Sequence, residues 1–264
     1  MRHKCPGEEG ESLVRFADCF NAWFDYSLPS ATRAGGLQGR QKGQARDGRQ
    51  RPGGYNGLMF AGKPVIGITG GIGSGKSFVA NLFGELGCRV INSDEQISRV
   101  YEREDVKRAL AAWWGQSVFD ESGRVVKREI ARRVFENPVE RKRLEGMLHP
   151  MVAQMREQQM ADAAQDASVP AYVWDTPLLL EANLGGKCDA IVFVDARDEE
   201  RLGRVQQSRG WTAEEWQQRE KLQLPLDKKR EVAKYMIRNT AGAGDVRSQV
   251  RDVLSRILAD VSDA

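Results

Sequence analysis

No apolar run in this chain of 264 residues approaches the roughly 20 residues of a membrane span, so no membrane-crossing helix is expected. Its four cysteines, Cys5, Cys19, Cys88 and Cys188, form no C-x-x-C pair. Neither a disulfide framework nor a zinc site is indicated, and a reducing, cytoplasmic setting fits best. Excess charge is also scarce. The net charge is +3, and up to Pro64 ten Lys/Arg face six acids, so the remaining chain carries −1. The basic excess belongs to the leading segment and argues little for a nucleic-acid partner. From Ala31 to Gly57 large apolar side chains are almost missing, and a stretch of Gly, Arg, Gln and Ser cannot offset its ordering entropy. Before it, Phe16, Phe20, Trp23, Phe24 and Tyr26 can make one short helix. No contiguous apolar stretch follows the basic start, against a secretory signal, and Glu8, Glu9 and Glu11 count against a transit peptide. Residues 1–63 therefore read as a disordered extension or as chain in front of a start at Met59, with a basic docking tail as the alternative. The organised part is 64–264.

That part opens on Lys63 to Ser77. A short apolar run, Val65 to Thr69, is cut off by glycines and followed by a helical pattern. Inside lies G-x-x-x-x-G-K-S, from Gly70 through Gly75, Lys76 and Ser77. Glycines let successive backbone N–H groups turn inward around a polyphosphate at the positive end of the next helix. Gly71, Ile72, Gly73, Ser74 and Gly75 form that cradle, Lys76 reaches the β/γ-phosphates, and the Ser77 hydroxyl ligates Mg²⁺. Val79, Leu82, Phe83 and Leu86 then mark one buried helix face, ended by Gly87.

Cys88 to Ile91 makes a second strand, running into Asn92-Ser93-Asp94. Ligands of an open α/β sheet sit beyond the carboxyl ends of its strands, which brings Asp94 near the phosphate loop. There it can accept a proton from an acceptor hydroxyl, or simply cap the helix beginning near Glu95. Residues from about 96 to 168 read as helical. Asn137-Pro138-Val139-Glu140 is a well-formed helix start, and Leu144, Met147, Leu148, Met151, Val152 and Met155 mark its apolar face. His149-Pro150 interrupts that helix, and the proline is expected to kink or break it. Lys127 and Arg128, with Arg132 and Arg133, can contact an anionic substrate or form a solvated face.

Two more buried strands follow, Ala171 to Trp174 into Asp175 and Ala190 to Val194 into Asp195. Asp175 takes the place of a metal-side carboxylate. Thr176-Pro177 to Glu181 reads as a loop running into a helix. Arg197, Arg201, Arg204 and Arg209 then mark either a lid that closes over ATP or a solvated helix face. Thr212 and Glu215 make a capping box. Tyr235 to Arg238 gives a fifth strand ending at Asn239, and Val246 to Val261 a closing amphipathic helix. The fold class is α/β, a phosphate-loop three-layer sandwich on a five-stranded parallel sheet. A guanine-nucleotide switch is disfavoured: Asp120 to Gly123 matches D-x-x-G but looks like a turn, and no N-K-x-D occurs.

Seven stretches, in order, resemble dephospho-CoA kinases: Gly70 to Ser77, Asn92-Ser93-Asp94, Gly115 to Arg128, Leu148-His149-Pro150, Pro177 to Glu181, Leu224-Pro225-Leu226 with Lys229, and Ile237-Arg238-Asn239. The similarity runs from about Val65 to Val261. It implies transfer of the ATP γ-phosphoryl to the ribose 3′-hydroxyl of dephospho-CoA, the last step of coenzyme A synthesis. It also implies Mg²⁺, a helical acceptor region at about 96–168 and a lid near 197–215. Asp94, Lys76 and Arg204 are the implied catalytic groups, with Asn239 beside the nucleotide. Arg128, His149 and Pro177 join Asp94 at the acceptor, and Ser77 and Asp175 hold the metal. Such an enzyme is expected to be a monomer or weak homo-oligomer, with a nucleoside monophosphate kinase as the alternative. Three positions depart from the pattern. Asn92 replaces an aspartate, Ser208 stands where a second lid arginine is expected with Arg209 one residue later, and Lys234 reverses an acidic charge.

Overall fold

The computed structural model describes residues 59–240 and 243–262. The aromatic stretch before Ser30 and the apolar-poor segment to Gly57 lie outside them. Five parallel strands form one sheet: β1 (Val65–Gly70), β2 (Arg89–Asn92), β3 (Tyr172–Asp175), β4 (Ala190–Asp195) and β5 (Tyr235–Arg238), in the order β2-β3-β1-β4-β5. Each strand expected from the sequence is present, shifted by at most a residue or two. β1 is central and buried at every position, and β4 nearly so, as continuous apolar runs in a parallel sheet require.

Side chains alternate across the strands, so the sheet has two apolar faces. Ile66, Ile68, Val173, Val192 and Val194 meet α1 (Lys76–Glu85) and, through Val246, Val250 and Ile257, the closing helix (Ala243–Ser262). Val65, Tyr172, Trp174 and Ile191 form the other face, covered by Leu179, Cys188 and Met160. Between β2 and β3 the chain builds a helical insert with its own core: α2 (Ser93–Glu102), α3 (Glu104–Trp114), α4 (Lys127–Glu136) and α5 (Pro138–Ala164). Ile97, Val100, Leu110, Val118, Ile130, Leu144 and Leu148 fill it. After β4 come α6 (Asp198–Arg209), α7 (Ala213–Glu220) and α8 (Leu226–Val232), and the closing helix is α9.

Local chemistry explains most boundaries. Asn137 caps α5 by accepting from the Val139 and Glu140 amides at 3.0 and 3.3 Å. Thr212 and Glu215 cap α7 reciprocally, as the sequence indicates. Asp120 accepts from the Ser122 and Arg124 amides, so the D-x-x-G match is a turn.

Two readings of the sequence need correction: of the kink or break foreseen at Pro150 no break occurs, and no helix follows Thr176-Pro177. α5 runs through Pro150 without a break. The ring forfeits one rung and crowds the carbonyl of Gly146, a cost near 3 kcal/mol. Leu144 and Leu148 before it and Val152 and Met160 after it are all buried, which holds the helix together across the gap. Pro177 to Glu181 does not enter a helix. It stays in turns closed by Ala182 N to Leu178 O and Leu184 N to Leu179 O, both 2.9 Å, because Asn183 is left-handed at φ 54°.

Candidate active site

The phosphate loop leaves β1 and enters α1 through two left-handed glycines, Gly73 (φ 80°) and Gly75 (φ 89°). Both need to be glycine twice over. A Cβ on Gly73 would strike the Arg201 carbonyl, and one on Gly75 the Asn239 side-chain amide. Lys76 Nζ donates to the carbonyls of Gly71 and Gly70 at 2.9 and 3.2 Å. Burial, with the nearby Lys229 ammonium adding to it, lowers its pKa to about 8.

The loop is held from outside by α6 and α7, chiefly through the peptide groups of Ile72. Glu220 Oε1 accepts from Ile72 N at 3.0 Å, while Arg201 Nη1 and Trp216 Nε1 donate to Ile72 O at 3.3 and 3.4 Å. Arg201, only 2% exposed, grips Glu220 through both nitrogens at 2.5 and 2.7 Å and also bonds Asp198. Its guanidinium lies 4.9 Å over the Trp216 ring. Arg204 completes the brace, donating to Gly73 O at 3.2 Å and Asn239 O at 2.6 Å. Asn239 in turn donates to Ser74 O at 2.8 Å. Arg209 ends α6 beside the Trp211 ring, and its charge acts on both Lys76 and Asp94. Of the two arginines, Arg204 donates to loop carbonyls, and Arg209 lies beside Trp211 within electrostatic reach of Lys76 and Asp94.

β2 and β3 end side by side, with Asn92 paired to Asp175 in register. Asn92 does two jobs there. Its Oδ1 accepts from Glu95 N at 3.0 Å and caps α2, and its Nδ2 donates to Asp175 Oδ2 at 3.0 Å. The cap is therefore Asn92 and not Asp94, which is the second residue of the helix, within its first turn. Asparagine in place of aspartate keeps the cap, adds a donor and removes a like charge from Asp175. Ser93 Oγ and Thr176 Oγ1, 2.7 Å apart, lock the two strand ends together. Asp175 is buried, which raises its pKa, while hydrogen bonds from Ser77 and Asn92 and the Lys76 charge pull the other way. Burial, then the Asp175 charge, raises Asp94 to about 6; Lys127, Arg209 and Lys76 oppose this.

Of the acceptor-side residues, Pro177 follows the buried Thr176 directly, half-buried at the crevice. His149 lies exposed on α5, its pKa lowered by desolvation and by Arg156. Arg128 is exposed on α4, and it is its neighbour Lys127 whose charge acts on Asp94. Sequence reasoning missed the Arg201–Glu220 pair, although a tryptophan and an acid one turn apart on α7 facing a basic α6 were a usable signal. Lys229, quoted only as part of a motif, is fully buried with Nζ 2.8 Å from both Glu181 Oε1 and Gln223 Oε1.

A glycine cradle with its lysine, a buried carboxylate at a serine hydroxyl, and a second carboxylate on the first helix of an insert together define a phosphate-loop kinase of a small acceptor. Residues 64–245 match the family model described as dephospho-CoA kinase. A dephospho-CoA kinase of Syntrophotalea carbinolica is 34% identical over 195 residues, spanning 74% of this chain and 92% of that protein. The crystal structure of TT1252 from Thermus thermophilus has a TM-score of 0.64 at 33% identity, over 74% of this chain and 97% of that one. A dephospho-CoA kinase from Campylobacter jejuni shares the fold, with a TM-score of 0.55 at 21% identity, over 75% of this chain and 98% of that one. The chain belongs to the dephospho-CoA kinase family.

Proposed function

We propose that this chain transfers the γ-phosphoryl group of ATP to the ribose 3′-hydroxyl of dephospho-CoA, giving coenzyme A and ADP. The observation that carries the reading is the shared field of Lys76, Asp175 and Asp94 at the ends of β1 to β3, next to an insert with its own core. The loop amides and Lys76 take the phosphates, whose oxygens replace the Gly70 and Gly71 carbonyls as partners of the ammonium. Asp94, ionised above a pKa of about 6, accepts the 3′-hydroxyl proton as the ribose oxygen bonds to the γ-phosphorus and ADP leaves. Arg209 meets charge building on the phosphoryl group, supported by its effect on both Asp94 and Lys76, while Arg204 keeps the loop in shape.

Ser77 and Asp175 would hold Mg²⁺. Their side chains already hydrogen-bond each other, and an all-oxygen pair suits a hard cation that keeps its other positions for water and phosphate. Among the described residues no cluster of three His, Cys, Asp or Glu exists, which fits an ion that depends on substrate phosphates for its remaining ligands. Held there, it would supply charge neutralisation for the transferring phosphate. Arg128, His149 and Pro177 complete the acceptor side, in a cytoplasmic protein acting as a monomer or weak homo-oligomer. The test is ADP release with ATP and dephospho-CoA, set against AMP, CMP and shikimate as acceptors. Turnover with dephospho-CoA alone supports the reading; turnover with AMP and none with dephospho-CoA overturns it.

A further inference from the structure

Among the described residues, four charged ones are buried as whole residues: Asp175, Arg201, Lys229 and Arg156. Three of them have clear polar partners. Asp175 accepts from Asn92, Arg201 is held by Glu220 and Asp198, and Lys229 by Glu181. Arg156 is different. It sits on α5 at 7% exposure, with its guanidinium 4.5 Å above the Trp174 ring and its Nε buried without a hydrogen-bond partner. No carboxylate of the described residues lies within ion-pair distance. The groups whose charges reach it are Glu157, exposed and next in sequence, and the Cys188 thiol. Burial pushes that thiol up to about 12, so it carries no charge at neutral pH. Stacking on an indole offsets only part of the cost of burying a cation. An arginine kept in that state is half of a pair whose other half is missing.

Its position says where the other half comes from. His149 lies two turns earlier on the same face of α5, close enough for the Arg156 charge to help lower its pKa. Trp174 immediately precedes Asp175 on β3. Gln159, one turn after Arg156, accepts from Gln96 at 2.8 Å, and Gln96 is two residues beyond Asp94 on α2. Arg156 thus belongs to the wall that α2, α5 and β3 build behind the proposed base. We propose that Arg156 binds an anionic oxygen of the acceptor, namely the diphosphate that joins the adenosine of dephospho-CoA to its pantetheine arm. The inference rests on the acceptor reading above. That diphosphate leaves the 5′ carbon of the same ribose whose 3′-hydroxyl meets Asp94. A guanidinium already held over an aromatic ring can donate to it with little further ordering.

The test is steady-state kinetics of the full chain, Arg156→Gln and Arg156→Lys, with ATP and dephospho-CoA varied in turn, together with thermal melting. For Arg156→Gln the expected result is a KM for dephospho-CoA raised at least tenfold, with kcat within about threefold and the KM for ATP within twofold. Arg156→Lys should fall between, because a point charge keeps the attraction and loses the fork. Melting should be unchanged or higher in Arg156→Gln, since an unpaired buried charge has been removed. A parallel loss for both substrates with a lower melting temperature would mean a structural role only and overturns the proposal. So does an unchanged KM for dephospho-CoA in either variant, and Arg156→Lys alone decides if Arg156→Gln does not fold. Absence of any dephospho-CoA turnover by the unaltered chain sinks the acceptor reading instead, which keeps the two failures apart.

Discussion

Replacing Glu220 with alanine should injure ATP binding from a distance, because Glu220 touches the phosphate loop only from its outer side. Three interactions go at once. Ile72 N–H loses its acceptor, Arg201 loses two charge-assisted bonds, and the α7 end of the clasp is released. Removing one partner of a buried ion pair costs about 3–5 kcal/mol. Arg201 keeps Asp198, whose side chain is 72% exposed and a weaker substitute, so the lower end applies. A loss of about 3 kcal/mol in a domain of this size lowers Tm by roughly 6–12 °C. The KM for ATP should rise at least tenfold while the KM for dephospho-CoA stays within about twofold. A double replacement, Arg201→Met with Glu220→Leu, separates the two effects. An apolar pair of similar volume restores most of the melting temperature, because buried ion pairs are often no better than packed side chains. It still leaves Ile72 N–H without an acceptor, at about 1–3 kcal/mol, so the ATP defect should persist. Melting followed by circular dichroism and initial rates at varied ATP provide the measurements. A Glu220→Ala protein with an unchanged Tm and an unchanged KM for ATP would refute the reasoning.

Three further substitutions test the site. Asp94→Asn should lower turnover at least a hundredfold and abolish the acidic limb of the pH–rate profile, which in the unaltered chain falls about tenfold per unit below pH 6. The same variant should melt higher at pH 8 but not at pH 4: the folded pKa of Asp94 is raised, so its favourable contribution exists below the unfolded value and is lost as pH rises through about 6. Lys76→Ala should cost at least a hundredfold in kcat/KM, and in the unaltered chain the KM for ATP should climb as pH passes about 8, where the free-enzyme ammonium loses its proton. Gly73→Ala should be largely inactive and less stable by about 1–2 kcal/mol or more, since φ is 80° and the new methyl meets the Arg201 backbone; near-normal turnover would contradict that geometry.

What could be read from the chain without coordinates was what depends on neighbours in sequence. Val65 to Gly70 and Ala190 to Asp195 announce buried parallel strands by composition alone. The glycine spacing announces the cradle, and Asn137 and Thr212 announce their helices by capping chemistry. The Asn92 cap was missed because Asn92 and Asp94 are both good capping residues two positions apart. The choice is made by Asp175, 83 residues on, which occupies the other end of the asparagine. Pro150 misled for a related reason: helix propensity argues for a break there, and the buried side chains of α5 on both sides overrule it. The clasp of Ile72 joins residues 148 and 129 positions apart, so no local pattern could announce it. Arg201 looked like any arginine on a basic helix until Trp216 and Glu220 were brought to it.

The cations of the crevice have a consequence for encounter rates. Beyond Pro64 the chain has a net charge of only −1, yet Lys76, Lys127 and Arg209 come from three separate elements to one end of the sheet. Both proposed substrates are polyanions. At long range such a molecule meets an almost neutral body, and it feels a pull only within about one Debye length of the mouth, near 8 Å at physiological ionic strength. Low-dielectric walls concentrate that field in the crevice, so capture is short-ranged and directional. The distribution favours anions that have already arrived at the right end of the sheet.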